Sequence, residues 1–301
     1  MDLNLVHLCF SLTIDGFARD RFALFALRRS FPSALKRATC GRLLLCGECR
    51  DSLACPWFPL FGQPLSSDPE AVRRHQKPPL PFIFDLPLLP EGAHHCRDLE
   101  VGLTLVGSAT ASAGAFVAAM RELSAADLGD GSFTLSLDGV VSRGLFGERL
   151  PLEFARQSGA PKNLQLLPLS DVASGGGGGG ERLTLSLVTP LRLFHEGKGL
   201  RSFDCSLFLR GVVRRVSSMV AAYGDGEMAD DFRWLAHQSR EVRVTESRIR
   251  FDLSGGMTAA GMMGEALLEG ELEPFLPYLR LGEYLHAGKG GSWGFGRFQL
   301  R

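Results

Sequence analysis

The spacing of hydrophobic positions changes several times along this chain, and each change marks an element. Residues Asp2 to Ile14 alternate loosely between apolar and polar and predict a strand. Arg21 to Ala38 places Phe22, Phe25, Ala26, Leu35 and Ala38 at helical spacing, with Pro32 interrupting or kinking the run. After an irregular excursion, Leu99 to Val106 alternates as a strand, Ala113 to Leu123 shows one apolar face, and Ser132 to Asp138 alternates again. Strand, helix, excursion, strand, helix, strand is the outline of a βαββαβ ferredoxin-like unit.

Ser174 is followed by six glycines, Gly175 to Gly180, a run that cannot hold a fixed conformation cheaply. The pattern then restarts. Leu183 to Val188 reads as a strand ending at Pro190, and Phe203 to Tyr223 as a long amphipathic helix broken only by Gly211. Glu241 to Leu253 predicts a strand or hairpin arm, Ala266 to Leu272 a further strand, Pro274 to Leu285 a short helix, and Gly294 to Leu300 a closing strand. The expected fold is therefore α+β, with tandem ferredoxin-like (RRM-like) domains at 1–174 and 183–301 and a glycine-rich linker or loop at 175–182. A cysteine- and proline-rich insert occupies about 40–90 of the first domain, where prolines exclude long helices.

Composition narrows the function classes. Over 301 residues, 45% are hydrophobic and 22% charged, which suits a globular protein with a real core. The 33 basic and 33 acidic residues cancel, so a generally sticky polycation is excluded while a local basic face is not. No apolar run approaches the ~20 residues of a membrane span, and the N-terminus lacks the basic start of a signal peptide. Seven cysteines, four of them between 40 and 55, fit a reducing cytoplasm better than a secreted disulfide scaffold.

Charge is unevenly placed. Arg28, Arg29, Lys36, Arg37 and Arg42 fall within fifteen residues with no acid among them, which favours RNA phosphates over an ordinary solvated face. Arg210 and Arg214 share one face of the long helix and are a second candidate set, with Arg215 beside them. The cysteines run Cys40-x5-Cys46-x2-Cys49-x5-Cys55. Four thiolates satisfy a closed, structural zinc site, and Cys46-x2-Cys49 is a common half-site spacing; an iron–sulfur cluster or reduced cysteines remain open.

The tail carries the strongest chemistry. Gly288, Gly290, Gly291, Gly294 and Gly296 allow backbone to approach a polyanion, with Lys289 and Arg297 adding charge. Trp293, Phe295 and Phe298 offer flat faces for bases. A P-loop is excluded, because the GxxxxGK[ST] spacing is missing. From spacing alone, a glycine-rich hairpin that merely buries Phe295 and Phe298 fits equally well.

Leu285-His286-Ala287-Gly288-Lys289-Gly290, followed by Trp293-Gly294-Phe295-Gly296-Arg297, resembles the C-terminal signature of the RAMP superfamily, and within it the CRISPR RNA-processing endoribonucleases of the Cas six family. Thr189-Pro190-Leu191-Arg192-Leu193 before the long helix, Glu271 to Phe275 leading into Leu281-Gly282-Glu283, Pro81 to Phe84, and Cys55-Pro56-Trp57 after the cysteine block are similar to that family in order. The resemblance implies two ferredoxin-like domains, CRISPR repeat RNA (pre-crRNA and its crRNA product) as partner, other Cas proteins as further partners, and cleavage without a metal cofactor. It also implies 2′-hydroxyl attack leaving a 2′,3′-cyclic phosphate, which needs a base, an acid and a cation. Many relatives carry a histidine near the first helix, yet residues 19 to 50 here contain none. His286, beside the glycine loop and three residues before Lys289, is the first catalytic candidate; His195 in Phe194-His195-Glu196-Gly197-Lys198 is the second, and His75 in a basic tract the third. A non-catalytic crRNA-binding RAMP subunit and a zinc-dependent nucleic-acid enzyme are the competing readings.

Overall fold

The computed structural model describes residues 3–18, 20–40, 46, 49, 55–61, 78–90, 93–124, 133–155, 161–175, 181–226 and 228–301. Contacts divide the chain into two units. One comprises Leu5–Phe82 and Leu86–Leu166; the other comprises Met1–Asn4, Ile83–Asp85 and Leu167–Arg301.

In the first unit the central strand is β1 (Asn4–Ala18). After it come α1 (Leu27–Thr39), a short strand β2 (Phe82–Asp85) whose last three residues count with the other unit, β3 (Ala93–Val106), α2 (Ala113–Ser124), β4 (Phe133–Arg143) and β5 (Arg149–Pro151). β1 pairs antiparallel with β3 on one side and β4 on the other, and β5 continues the sheet from β4. One face of β1 presents Val6, Leu8, Phe10, Leu12 and Ile14, all buried, as a period of two demands of a strand with one face on a core. The two helices pack on each other. Phe31 of α1 stacks on Phe116 of α2 with ring centroids 5.5 Å apart, and Phe82 meets Phe116 edge-on at 5.4 Å. Pro32 does not end α1; the helix runs through it, and the Pro32 carbonyl accepts the Trp57 indole N–H at 3.0 Å.

The second unit repeats the connectivity with β6 (Arg182–Leu191), α4 (Cys205–Tyr223), β7 (Arg243–Ser247) and β8 (Arg250–Asp252), β9 (Gly261–Glu269), α6 (Leu276–Leu285) and β10 (Phe298–Leu300). Two short helices are additional, α3 (Leu169–Ser174) and α5 (Phe232–Gln238). The sheet order is β7-β9-β6-β10, with β8 also on β9, and every pairing is antiparallel. This is the ferredoxin-like order, with the first strand held between the third and the fourth. Asp204 caps α4 by accepting the Leu207 amide at 2.9 Å. Phe208, Val212, Val216 and Met219 on its inner face are buried, and Phe208 meets Phe298 of β10 edge-on at 5.2 Å. Gly282 of α6 makes this packing possible, since a Cβ there would stand 2.6 Å from the Phe298 ring.

Both expected ferredoxin-like units are present, and their edges differ from the sequence pattern for local reasons. β9 covers 261–269 rather than 266–272, because Gly270 at φ +133° ends it. The closing strand shrinks from seven residues to Phe298–Leu300, because Gly294 and Gly296 take left-handed φ values of +86° and +64°. β6 continues through Pro190, whose missing N–H is no loss where its carbonyl accepts from Gly296 at 3.0 Å. Among the described residues, no helix is long and apolar enough to cross a membrane.

Candidate nucleic-acid interface

The site grows from the end of α6. His286 ends that helix at φ +61° and ψ +170°, a backbone region that is nearly glycine's alone. Its amide still donates to Gly282 at 2.7 Å. Its ring is wholly buried, and Nε2 lies 2.6 Å from Oδ1 of Asp85. The other Asp85 oxygen faces the Arg297 guanidinium at 3.6 Å. His286 Nδ1 has no partner among the described residues. Asp85 thus ties the start of the glycine-rich loop to its end.

Between those ends the backbone is cross-tied. Ala287 N–H donates to Gly296 at 2.9 Å, Lys289 N–H to Arg192 at 2.9 Å, and the Thr189 hydroxyl to the Gly294 carbonyl at 2.6 Å. Thr189 Oγ1 also accepts the Arg297 amide at 2.9 Å. Gly296 has no room for a side chain, because a Cβ would collide with the Ala287 carbonyl; at Gly288 it would stand 2.5 Å from the Arg192 carbonyl. Trp293 stacks on Phe84 at 6.0 Å with planes 19° apart. Gly291, Gly294 and Gly296 are buried, Gly288 and Gly290 partly exposed, and Lys289 exposed.

Four cations bear on this loop. Arg192 lies 3.9 Å over the Phe295 ring and donates to the Ala260 and Thr258 carbonyls at 2.8 and 2.6 Å. Arg215, from α4, donates to the Leu285 carbonyl at 2.6 Å and to the Ser292 hydroxyl at 3.1 Å. Its side chain keeps partial exposure, yet desolvation of the head group lowers its pKa to about 10, which leaves it a cation at neutral pH. Lys289 Nζ sits 4.8 Å over the Phe194 ring, and Arg297 completes the set. Two carboxylates accompany them. Asp85 is engaged by His286 and Arg297, and burial raises the pKa of Glu283, whose oxygen accepts the Leu300 amide at 3.0 Å. A loop with excess positive charge and accessible glycine backbone binds anions.

The other candidates separate clearly. His195 is exposed on a hairpin of Phe194–His195 with Lys198–Gly199, 4.0 Å from the Glu196 carboxylate, and Phe194 brings that hairpin to Lys289. His286 has no face open to a phosphate, its ring being wholly buried against Asp85. Gly291, Gly294 and Gly296 serve the loop's packing instead of offering surface. Arg210 and Arg214 are exposed on α4, and Arg28 and Arg29 on α1. Arg37 is answered by Glu122 at 3.0 Å, and Lys36 Nζ rests 5.4 Å over Trp57. Cys40, Cys46, Cys49 and Cys55 are partly exposed, and among the described residues no group of three or more His, Cys, Asp or Glu is placed to hold a metal. Arg42 and His75 lie outside the described residues. Sequence reasoning missed Asp85, 201 positions from His286, left Arg192 without a role, and set Arg215 beside Arg210 and Arg214 rather than at the glycine-rich loop. Arg215 carried a signal: it interrupts the inner face of α4 between Val212 and Met219.

Two ferredoxin-like units are present, and the second ends in a cationic, glycine-built loop. Residues 185–298 match the family described as CRISPR-associated endoribonuclease Cas6. Residues 9–154 match a family described only as an N-terminal domain. Among solved structures, Thermus thermophilus Cas6 (TTHB231) is 16% identical at a TM-score of 0.53, covering 100% of both chains. A "Cas6 (TTHA0078) substrate mimic complex" is 13% identical at 0.54, covering 99% of each. A "Partial Cas6-RT-Cas1--Cas2 complex" is 13% identical at 0.57, covering 100% of this chain and 46% of the other. At such identities the likeness is one of fold. No curated protein matches the sequence.

Proposed function

We propose that this protein binds CRISPR repeat RNA at the glycine-rich loop and cuts pre-crRNA to mature crRNA in the cytoplasm. The observation that carries the reading is the partly exposed Gly288-Lys289-Gly290 backbone amid Lys289, Arg192, Arg215 and Arg297, in a domain of the Cas6 family. Relatives described as product and substrate-mimic complexes of Cas6 support RNA as the polyanion, and one described as a Cas6-RT-Cas1–Cas2 assembly supports other Cas proteins as partners.

The chemistry proposed needs no metal. A base takes the proton of the ribose 2′-hydroxyl as that oxygen bonds to the adjacent phosphorus. The bond from phosphorus to the 5′-oxygen breaks, an acid protonates that oxygen, and a 2′,3′-cyclic phosphate and a 5′-hydroxyl result. Exposed His195 has the chemistry for one proton transfer, and Lys289, brought beside its hairpin by Phe194, for holding the crowded phosphorane. His286 acts through Asp85 by holding the loop. Labelled repeat RNA incubated with protein in EDTA tests this: cyclic-phosphate ends are expected, and cleavage that EDTA abolishes on folded protein would support a zinc-dependent enzyme instead.

Burial of His286 favours one further reading, a non-catalytic crRNA-binding RAMP subunit. Tight repeat binding with no product from folded protein would establish it. A structural zinc held by Cys40, Cys46, Cys49 and Cys55 stays a proposal, tested by metal content before and after substitution of Cys46 and Cys49.

A further inference from the structure

We propose that Arg215 is the counter-charge for an RNA phosphate seated on the Gly288–Gly290 backbone, reaching the phosphate's field from beneath the glycines. The inference rests on the RNA-binding reading of the loop and names one residue and one ligand group within it.

Three observations converge. The guanidinium lies close against the underside of Gly291, where a Cβ would stand 3.1 Å from Arg215 Cζ and Nε. Its two hydrogen bonds go to neutral oxygens, the Leu285 carbonyl and the Ser292 hydroxyl. Among the described residues no carboxylate answers its charge, whereas Asp85 answers Arg297 and Glu122 answers Arg37. A half-buried cation without an acid is better stabilised when an anion completes it. The adjacent surface supplies a seat for one, since Gly288 and Gly290 are partly exposed at φ +72° and +90° and Lys289 points outward. A phosphate diester carries the single negative charge and the acceptor oxygens that this seat lacks. The glycines keep the separation between phosphate and guanidinium short.

The experiment is a salt titration of repeat-RNA affinity with the full chain. Arg215→Gln keeps a donor for Leu285 and removes the charge. It should bind about tenfold more weakly at low salt, and the slope of log K against log salt should flatten by about 0.7, the contribution of one phosphate on a single strand. Arg215→Lys should keep the wild-type slope. Gly291→Ala presses on the guanidinium by a few tenths of an ångström and keeps its charge, so it keeps the test sound should Arg215→Gln fail to fold; its low-salt affinity should fall while its slope stays near wild type. A wild-type slope in folded Arg215→Gln, or wild-type affinity in Gly291→Ala, while wild-type protein binds repeat RNA, overturns the assignment and leaves the RNA reading standing. Absence of repeat-RNA binding by wild-type protein would instead overturn the RNA reading beneath it.

Discussion

Two clusters of positive charge look alike in the sequence and differ in the folded protein. On α1 the run Arg28, Arg29, Lys36, Arg37 carries no acid within it, yet folding brings Glu122 to Arg37 and the Trp57 ring under Lys36. At the glycine-rich loop the cations are dispersed in sequence as Arg192, Arg215, Lys289 and Arg297, and folding gathers them around one stretch of glycine backbone, with no carboxylate on Arg215 among the described residues. Local charge density in a sequence counts what is adjacent along the chain. A polyanion meets what is adjacent in space, after internal partners have taken their share. The loop is therefore the stronger candidate, and within α1 Arg28 and Arg29 stand exposed without such partners among the described residues.

The widest separation between the regions should come from chemistry. His195→Ala should lower cleavage by about 10²–10⁴-fold, the usual worth of a general acid or base, while repeat binding changes little in a filter-binding assay. Full cleavage by this variant would remove the hairpin from the catalytic centre. Gly296→Ala should come next, because a left-handed φ and a collision with Ala287 O together cost about 2–4 kcal/mol. Thermal melts should show that loss, whereas Ala at the solvent-facing Gly226 should leave the melting temperature near wild type.

Asp85→Asn sharpens the role of the tether. Removing the charge that links His286 and Arg297 should cost about 1–3 kcal/mol in urea unfolding. It should also weaken RNA binding more than it alters the cleaved fraction at saturating protein. An Asp85→Asn protein that binds normally yet cannot cut would return His286 to the reacting groups. The smallest effect is expected at Arg37→Gln, where an exposed pair worth about 0–1 kcal/mol is lost and the salt slope of RNA binding stays as it was.

Much of the fold was legible. Alternation in β1 and helical spacing in Ala113 to Leu123 reported real elements, because each buries one face against a single core. Edges were less legible, since β9 stops where Gly270 turns and the last strand begins only after Gly296. At the candidate site, glycine spacing picked out a stretch that folds as a loop. It could not distinguish glycines whose backbone stays partly exposed, such as Gly288 and Gly290, from Gly294 and Gly296, which admit close packing. His286 was conspicuous for its place beside Lys289, but its burial depends on Asp85, whose partnership no local pattern encodes. Arg215 was visible as an arginine on an apolar face; only the folded chain gives that position the underside of Gly291.

Repeat-RNA affinity measured across a salt series, for Lys289→Gln beside Arg37→Gln, tests the interface most directly. Lys289 is the exposed charge of the loop and Arg37 the paired charge of α1. The slope should flatten by about 0.7 for Lys289→Gln and not at all for Arg37→Gln. Flattening confined to Arg37→Gln, or equal in the two, would place the RNA elsewhere than on the glycine-rich loop.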